Sequence, residues 1–219
     1  MIAHEFAVVW EHLGDLLEGA GLTVALSVVA GALSLLAGCG LTLLLMGRQH
    51  WLASVLRGFI ELMRCTPFLL LAYLVYYGLP SFGLRLGNIQ SGLLALLLYH
   101  SAYIAEILRA GWLARPREEI EAGLAFGFRG VLLARRLILP NLWTSSAPAL
   151  GNQMIQVVKD TSFLTIIAVP ELTSAANSLQ SNYYIPFAAL FSAVFFYWLI
   201  CVVIELGVSM LRRKAERYQ

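Results

Sequence analysis

Five stretches of this chain carry no charge over the length of a membrane crossing, and that limits its fold more than any other feature. Leu22–Met46, Cys65–Leu84, Leu86–Ala105, Asn141–Val158 and Pro186–Ile204 contain no Asp, Glu, Lys or Arg. A hydrocarbon core of ~30 Å needs about twenty mostly apolar residues of helix per span. At 59% hydrophobic and 13% charged residues, the composition departs from that of ordinary soluble domains. Runs of Leu, Val and Ala with embedded Gly fit helices, because a lipid-exposed chain must satisfy its backbone internally. The short alternating segments of a membrane barrel are absent. The pattern predicts an all-α integral membrane protein of about five transmembrane helices in one domain, residues 1–219. Spans are expected at about 22–46, 59–80, 86–109, 141–168 and 186–211, with a water-facing loop at 112–140.

Charge is distributed in alternation. Residues 1–21 hold Glu5, Glu11, Asp15 and Glu18 but no Lys or Arg. Arg48 and Arg57 follow the first run, and Arg85 alone separates the second from the third. Arg109, Arg115, Arg117, Arg129, Arg135 and Arg136 follow the third, and Arg212, Arg213, Lys214 and Arg217 close the chain. The positive-inside rule then puts the N-terminus outside and the C-terminus in the cytoplasm. A net charge of +2 gives no footing for nucleic acid. Cys39, Cys65 and Cys201 lie in or beside apolar runs, so a disulfide framework is not expected. Leu36-Ala37-Gly38-Cys39 has the look of a lipoprotein cleavage box, but the acidic start and the long run around it predict a thiol inside a span.

Several runs carry internal structure. Ser27, Gly31, Ser34, Gly38 and Thr42 recur at steps of three or four, placing small residues on one face of the first span. In lipid such a face lets helix backbones approach closely, here most simply within the same chain. Glu61 with Arg64, and Glu106 with Arg109, are acid–base pairs three residues apart. Tyr73, Tyr76 and Tyr77 suit an interfacial aromatic belt.

The loop ARPREEIEAGLAFGFRGVLLARRLILP, Arg115–Pro140, is charged and punctuated by glycine between two apolar runs. Pro116 suits a helix start, and Glu118, Glu119 and Glu121 suit the positive end of the helix dipole. Gly127 and Gly130 interrupt the pattern, after which a second short helix is expected up to Pro140. On pattern alone, a docking element for a soluble partner and a helical pair lying on the membrane surface are equally served.

The loop resembles the signature of permease subunits in bacterial ABC importers: Glu-Ala-Ala, three residues, Gly, nine residues, then aliphatic-x-Leu-Pro. Glu121-Ala122-Gly123, Gly127 and Leu137-Ile138-Leu139-Pro140 stand at matching spacing, with Gly123 in place of the second Ala. Arg64-Cys65-Thr66-Pro67, Tyr76-Tyr77-Gly78-Leu79-Pro80 and Ser101-Ala102-Tyr103-Ile104-Ala105-Glu106 resemble the polar amino-acid uptake branch (histidine-, glutamine- and arginine-type permeases). So do Leu150-Gly151-Asn152-Gln153, Lys159-Asp160-Thr161-Ser162 and Val169-Pro170-Glu171-Leu172. Cys65 departs from a usual Gly and Leu71 from a common Gln. The resemblance implies the fold of type I importers and a multi-pass protein of the bacterial inner membrane with no bond chemistry of its own. Its partners would be an ABC ATPase, a second permease subunit (identical or paralogous), a solute-binding protein, an amino-acid substrate and the bilayer. ATP and magnesium would reside on the ATPase, with no cofactor on this chain. Glu121, Ala122, Gly123, Gly127, Phe128 and Arg129 would form the coupling contact.

An ionisable side chain inside a membrane is costly and normally faces a partner or a cavity. Lys159, Asp160, Thr161 and Ser162 are therefore candidates for a polar substrate path, a carboxylate suiting an amino group and hydroxyls a carboxylate. The competing reading is that Lys159 and Asp160 only fix helix packing. Arg64 and Thr66, at the break made by Pro67, and Glu106 are further path candidates. Glu171, on the outer side, is expected to be a solvated loop acid, with contact to the solute-binding protein as the alternative. A channel or scaffold without an ATPase is one rival function. The enzymatic rival, an intramembrane serine protease built on His100, Ser101 or Ser162, lacks a nucleophile–base arrangement in sequence.

Overall fold

The computed structural model describes residues 2–46 and 50–216, and the chain is helical almost throughout. In chain order the helices are α1 (Ile2–Glu11), α2 (Leu13–Leu45), α3 (His50–Cys65), α4 (Phe68–Tyr73), α5 (Asn88–Leu113), α6 (Arg117–Ala125), α7 (Gly130–Leu133), α8 (Leu139–Thr161), α9 (Leu172–Tyr183) and α10 (Pro186–Glu216). Leu74–Gly78 and Ala134–Ile138 are wide π-type turns, and Leu79–Phe82 and Ser162–Ile167 are tight 3₁₀ turns. Among the described residues, α2, α5 and the Pro186–Met210 part of α10 are long and apolar enough to cross a membrane. The segment expected as one span at 59–80 is broken instead. Thr66 and Pro67 interrupt it, and the two helical pieces bend by 109°. Proline supplies the cause: it has no N–H for the ladder and keeps the residue before it out of helical geometry. Counting the bent pair as one span gives four. The segment expected at 141–168 is α8 plus the 3₁₀ turn, and its polar side chains set it apart from the other three.

The small-residue face of α2 packs inside the chain, as the spacing predicts. Ser27, Gly31, Ser34, Gly38 and Thr42 are all buried. A Cβ added at Gly38 would lie 2.6 Å from Ile104 Cγ2 and 3.1 Å from the Ser101 carbonyl, so α2 and α5 touch nearly backbone to backbone. One turn on, the Thr42 hydroxyl donates to Gly38 O at 2.8 Å and reaches Ala105 O at 3.2 Å. The face continues toward the start of α2. A Cβ at Gly19 would meet Leu172 Cα at 3.0 Å, and Thr23 Oγ1 accepts from the Leu172 amide at 3.2 Å. Cys39 sits part-buried within α2.

Glu171 corrects the reading of a solvated loop acid. It is fully buried and caps α9, accepting from the Thr173 and Ser174 amides at 2.9 Å each and from the Tyr197 hydroxyl of α10 at 2.5 Å. The capping bonds satisfy N–H groups that the first turn of any helix leaves unpaired. Burial nevertheless lifts the carboxyl above its ordinary value.

At the start of the chain, α1 lies along α10. Phe6 meets Phe187 and Phe191 edge-on at 6.4 and 5.9 Å, and Val9 is buried there. His12 Nδ1 donates to Val8 O at 3.1 Å, leaving Nε2 to accept from the Tyr183 hydroxyl at 2.7 Å.

Candidate functional site

Ser146, Gln153 and Asp160 lie seven residues apart on α8 and are buried, so one face of that helix turns polar groups inward. Opposite stands His100 of α5, with no exposed surface. Gln153 Nε2 donates to His100 Nδ1 at 2.7 Å. That bond makes Nδ1 the acceptor and leaves the ring proton on Nε2, 3.5 Å from Asp160 Oδ2. Gln156 Nε2 donates to Asp160 Oδ1 at 2.9 Å. A buried carboxylate is tolerated where donors replace its water; here Gln156 donates to one oxygen, while His100 Nε2 faces the other without completing a hydrogen bond. Phe68, the first residue of α4 after the proline break, covers the imidazole at 6.2 Å between ring centres and also meets Phe163. The break therefore brings an aromatic lid over the polar pair.

The other residues of this stretch point elsewhere. Lys159 is exposed and makes no ion pair among the described residues. Thr161 is buried, with its hydroxyl donated to Val158 O at 2.7 Å; the Ser162 hydroxyl donates to Lys159 O at 2.7 Å. Of the four candidates, only Asp160 enters the cluster. Ser101 likewise donates to Leu98 O at 3.0 Å, so neither Ser101 nor Ser162 is presented to His100 as a nucleophile. Thr66 turns its hydroxyl back to Leu62 O at 2.8 Å.

Arg64 and Glu106 belong to a second cluster, nearer the loop end of α5. Arg109 holds Glu106 with two bonds, Nε to Oε2 at 2.8 Å and Nη2 to Oε1 at 2.7 Å. Arg64 of α3 approaches the same carboxylate at 3.7 Å and lies over the Tyr103 ring at 5.8 Å. The expected Glu106–Arg109 pair is present. The expected Glu61–Arg64 pair is not among the ion pairs of the described residues, because Arg64 turns across to α5. Glu61 and Arg57 instead line, with these groups, a cavity of about 340 Å³ between α3 and α5. The Tyr103 hydroxyl joins the clusters, 3.3 Å from both Tyr99 Oη and Arg64 O. His100, Gln153, Gln156 and Tyr103 join the site although the charge-based sequence reading does not single them out as path residues. The available signal is a histidine inside a run that holds no Asp, Glu, Lys or Arg.

The 112–140 loop forms a helix, a glycine break and a second helical piece, as its pattern predicts. α6 closes with the Phe128 amide on Gly123 O and the Gly127 amide on Leu124 O, both at 3.0 Å. This Schellman closure requires a left-handed residue, and Gly127 supplies it at φ +84°. Gly123 packs closely too: a Cβ there would come within 2.7 Å of Leu133 Cδ1, a side-chain tip that would have to shift. Glu121, Ala122 and Arg129 are exposed, Gly123 is buried and Phe128 is half-buried. Phe126, absent from the expected contact set, is the aromatic that projects, at 84% exposure. Arg115 Nη2 donates to Ile138 O and ties the two ends of the loop together.

Residues 21–217 match the family described as the inner membrane component of binding-protein-dependent transport systems. The chain is 29% identical over 214 residues to a probable glutamine ABC transporter permease protein, GlnM of Bacillus subtilis, covering 96% of this chain and 98% of that protein. It is 37% identical over 186 residues to the octopine transport system permease protein OccM of Rhizobium meliloti, covering 81% and 76%. A crystal structure of an amino acid ABC transporter with histidines superposes with a TM-score of 0.89 at 28% identity, over 95% of this chain and 98% of that one. Family match, relatives and fold agree: the chain is a permease of the binding-protein-dependent ABC transport family, a membrane-spanning component of such systems.

Proposed function

We propose that this permease passes a polar or charged amino acid inward across the bacterial cytoplasmic membrane. The carrying observation is the buried Asp160 carboxylate, set between His100 and Gln156 in a helix that also presents Gln153. A carboxylate so placed offers an ammonium group a counter-charge in a low-dielectric site. The Arg64–Glu106–Arg109 cluster lies further along the same route and offers charges of both signs to a zwitterion. Thr161, Ser162, Lys159 and Thr66 stand beside that route as secondary groups.

The chain holds no motor. Its loop, with Glu121, Ala122, Gly123, Gly127, Phe128, Arg129 and the projecting Phe126, is the surface on which a separate ATPase acts, and ATP with magnesium belongs to that subunit. With α8 taken as a fifth crossing beside the four apolar ones, the arginine distribution favours an outside N-terminus and a cytoplasmic C-terminus and coupling loop. A second permease subunit completes the pathway, and an external solute-binding protein delivers substrate. Asp160→Asn tests the path: uptake in proteoliposomes should fall while the ATPase still co-purifies. Transport at the wild-type rate would remove Asp160 from the route.

A further inference from the structure

The seam between α5 and α8 carries more polar chemistry than the Asp160 cluster uses. Asp160, Gln153 and Ser146 descend α8 at intervals of seven residues, about 10 Å each, toward the 112–140 loop. At the loop end the two helices part around a cleft of about 520 Å³, within the usual range for small-molecule sites. Apolar residues of α5 and α8 form its walls, and Arg115, Glu119, Asn141, Ser145 and Ser146 supply polar groups.

Several of these groups lack partners. Ser146 is 4% exposed, and its buried hydroxyl makes no hydrogen bond. Arg115 spends Nη2 on Ile138 O, but its Nε and Nη1 are buried without acceptors. Buried donors are ordinarily paired, and an unpaired guanidinium N–H is expensive. Burial draws the Arg115 guanidinium below its ordinary value, with Glu119 opposing that shift. Glu119, four residues on, lines the same cleft, yet the two form no ion pair within 4 Å among the described residues.

The geometry points to this cleft as a binding site for a small zwitterion, its acidic group on Arg115 and Ser146 and its amine on Glu119. An unpaired cation and an unpaired carboxylate in one cavity match a ligand carrying both charges better than a simple anion. Two sources share that chemistry: a free amino acid, and the ethanolamine phosphate head of a phospholipid. Arg115 also clasps the two ends of the loop, so an occupant engaging its free nitrogens would stiffen the loop at its root. The site is separate from the Asp160 route and stands whether or not that route carries substrate.

The test uses the purified transporter held with its ATPase in nanodiscs of phosphatidylglycerol. L-Glutamine is offered in solution in one arm, with Asp160→Asn as background to silence the proposed path. Phosphatidylethanolamine is doped into the disc in the other, with retention read by native mass spectrometry. One probe should bind saturably. Arg115→Gln and Glu119→Gln should each weaken it roughly tenfold or more, the loss of a charge-assisted contact. Ser146→Ala removes one hydroxyl and preserves the test if Arg115→Gln fails to assemble. Glutamine binding identifies a soluble occupant, and lipid retention a headgroup. If neither probe distinguishes wild type from Ser146→Ala and Glu119→Gln, the proposal falls.

Discussion

Two glycines of α2, two residues apart, should respond in opposite ways to the same substitution. At Gly40 an added Cβ meets no atom within 4 Å, so Gly40→Ala only exchanges a poor helix former for the best one. The gain is about 1 kcal/mol or less. At Gly38 the new methyl would lie 2.6 Å from Ile104 Cγ2 and 2.8 Å from Ile104 Cβ. Neither atom can swing aside, since a β-branched side chain in a helix has one preferred χ1. Relief needs α2 and α5 to separate by about 1 Å to reach normal carbon–carbon spacing, which forfeits a quarter to a half of each dispersion contact along the seam. It also stretches the Thr42–Ala105 bond, already 3.2 Å. Overpacking of this kind costs about 1–3 kcal/mol, so the two variants should differ by about 1–4 kcal/mol. Denaturation in detergent micelles, followed by far-ultraviolet circular dichroism, measures the difference. Equal midpoints for Gly38→Ala and Gly40→Ala would refute the close approach of α2 and α5.

Three other outcomes are expected. Glu171→Ala should destabilise the fold by about 1–3 kcal/mol in the same assay, since it removes a helix cap and the carboxylate partner of the Tyr197 hydroxyl, which keeps only Thr173 Oγ1 at 3.0 Å; Glu171→Gln should cost less. Because the folded-state value of Glu171 is raised, the folded protein binds its proton more tightly, and this group's stabilising contribution should decline as pH climbs through the window from 4.5 up to the raised value, then level off. Glu171→Gln should flatten that part of the pH profile. Gly127→Ala forces an L-residue to φ +84° at a cost of about 1–2 kcal/mol, so it should weaken ATPase retention in pull-downs while the rest of the bundle melts normally.

The small-residue face of α2 and the Gly127 break could be read from sequence because each rests on local spacing that one helix or one turn enforces. The uncharged runs announced the membrane for the same reason. Asp160 could be singled out as a misplaced charge, but its partners could not. His100 is sixty residues away, and only the register of α5 against α8 brings them together. Glu171 misled because a Pro-Glu pair between apolar runs reads as a surface turn. Its burial depends on Tyr197 arriving from α10, and nothing near Glu171 signals that. Arg64 shows a related limit: two acids lie within reach, and tertiary geometry selected Glu106 over its neighbour Glu61.

The clasp between α1 and α10 has a consequence for biogenesis. The seat for Phe6 and His12 is furnished by Phe187, Phe191 and Tyr183, and the His12–Tyr183 bond alone joins residues 171 positions apart. During translation α1 cannot complete this packing until α10 is inserted. An early helix thus completes its packing late, and a chain halted before residue 186 would offer it Tyr183 but neither phenylalanine.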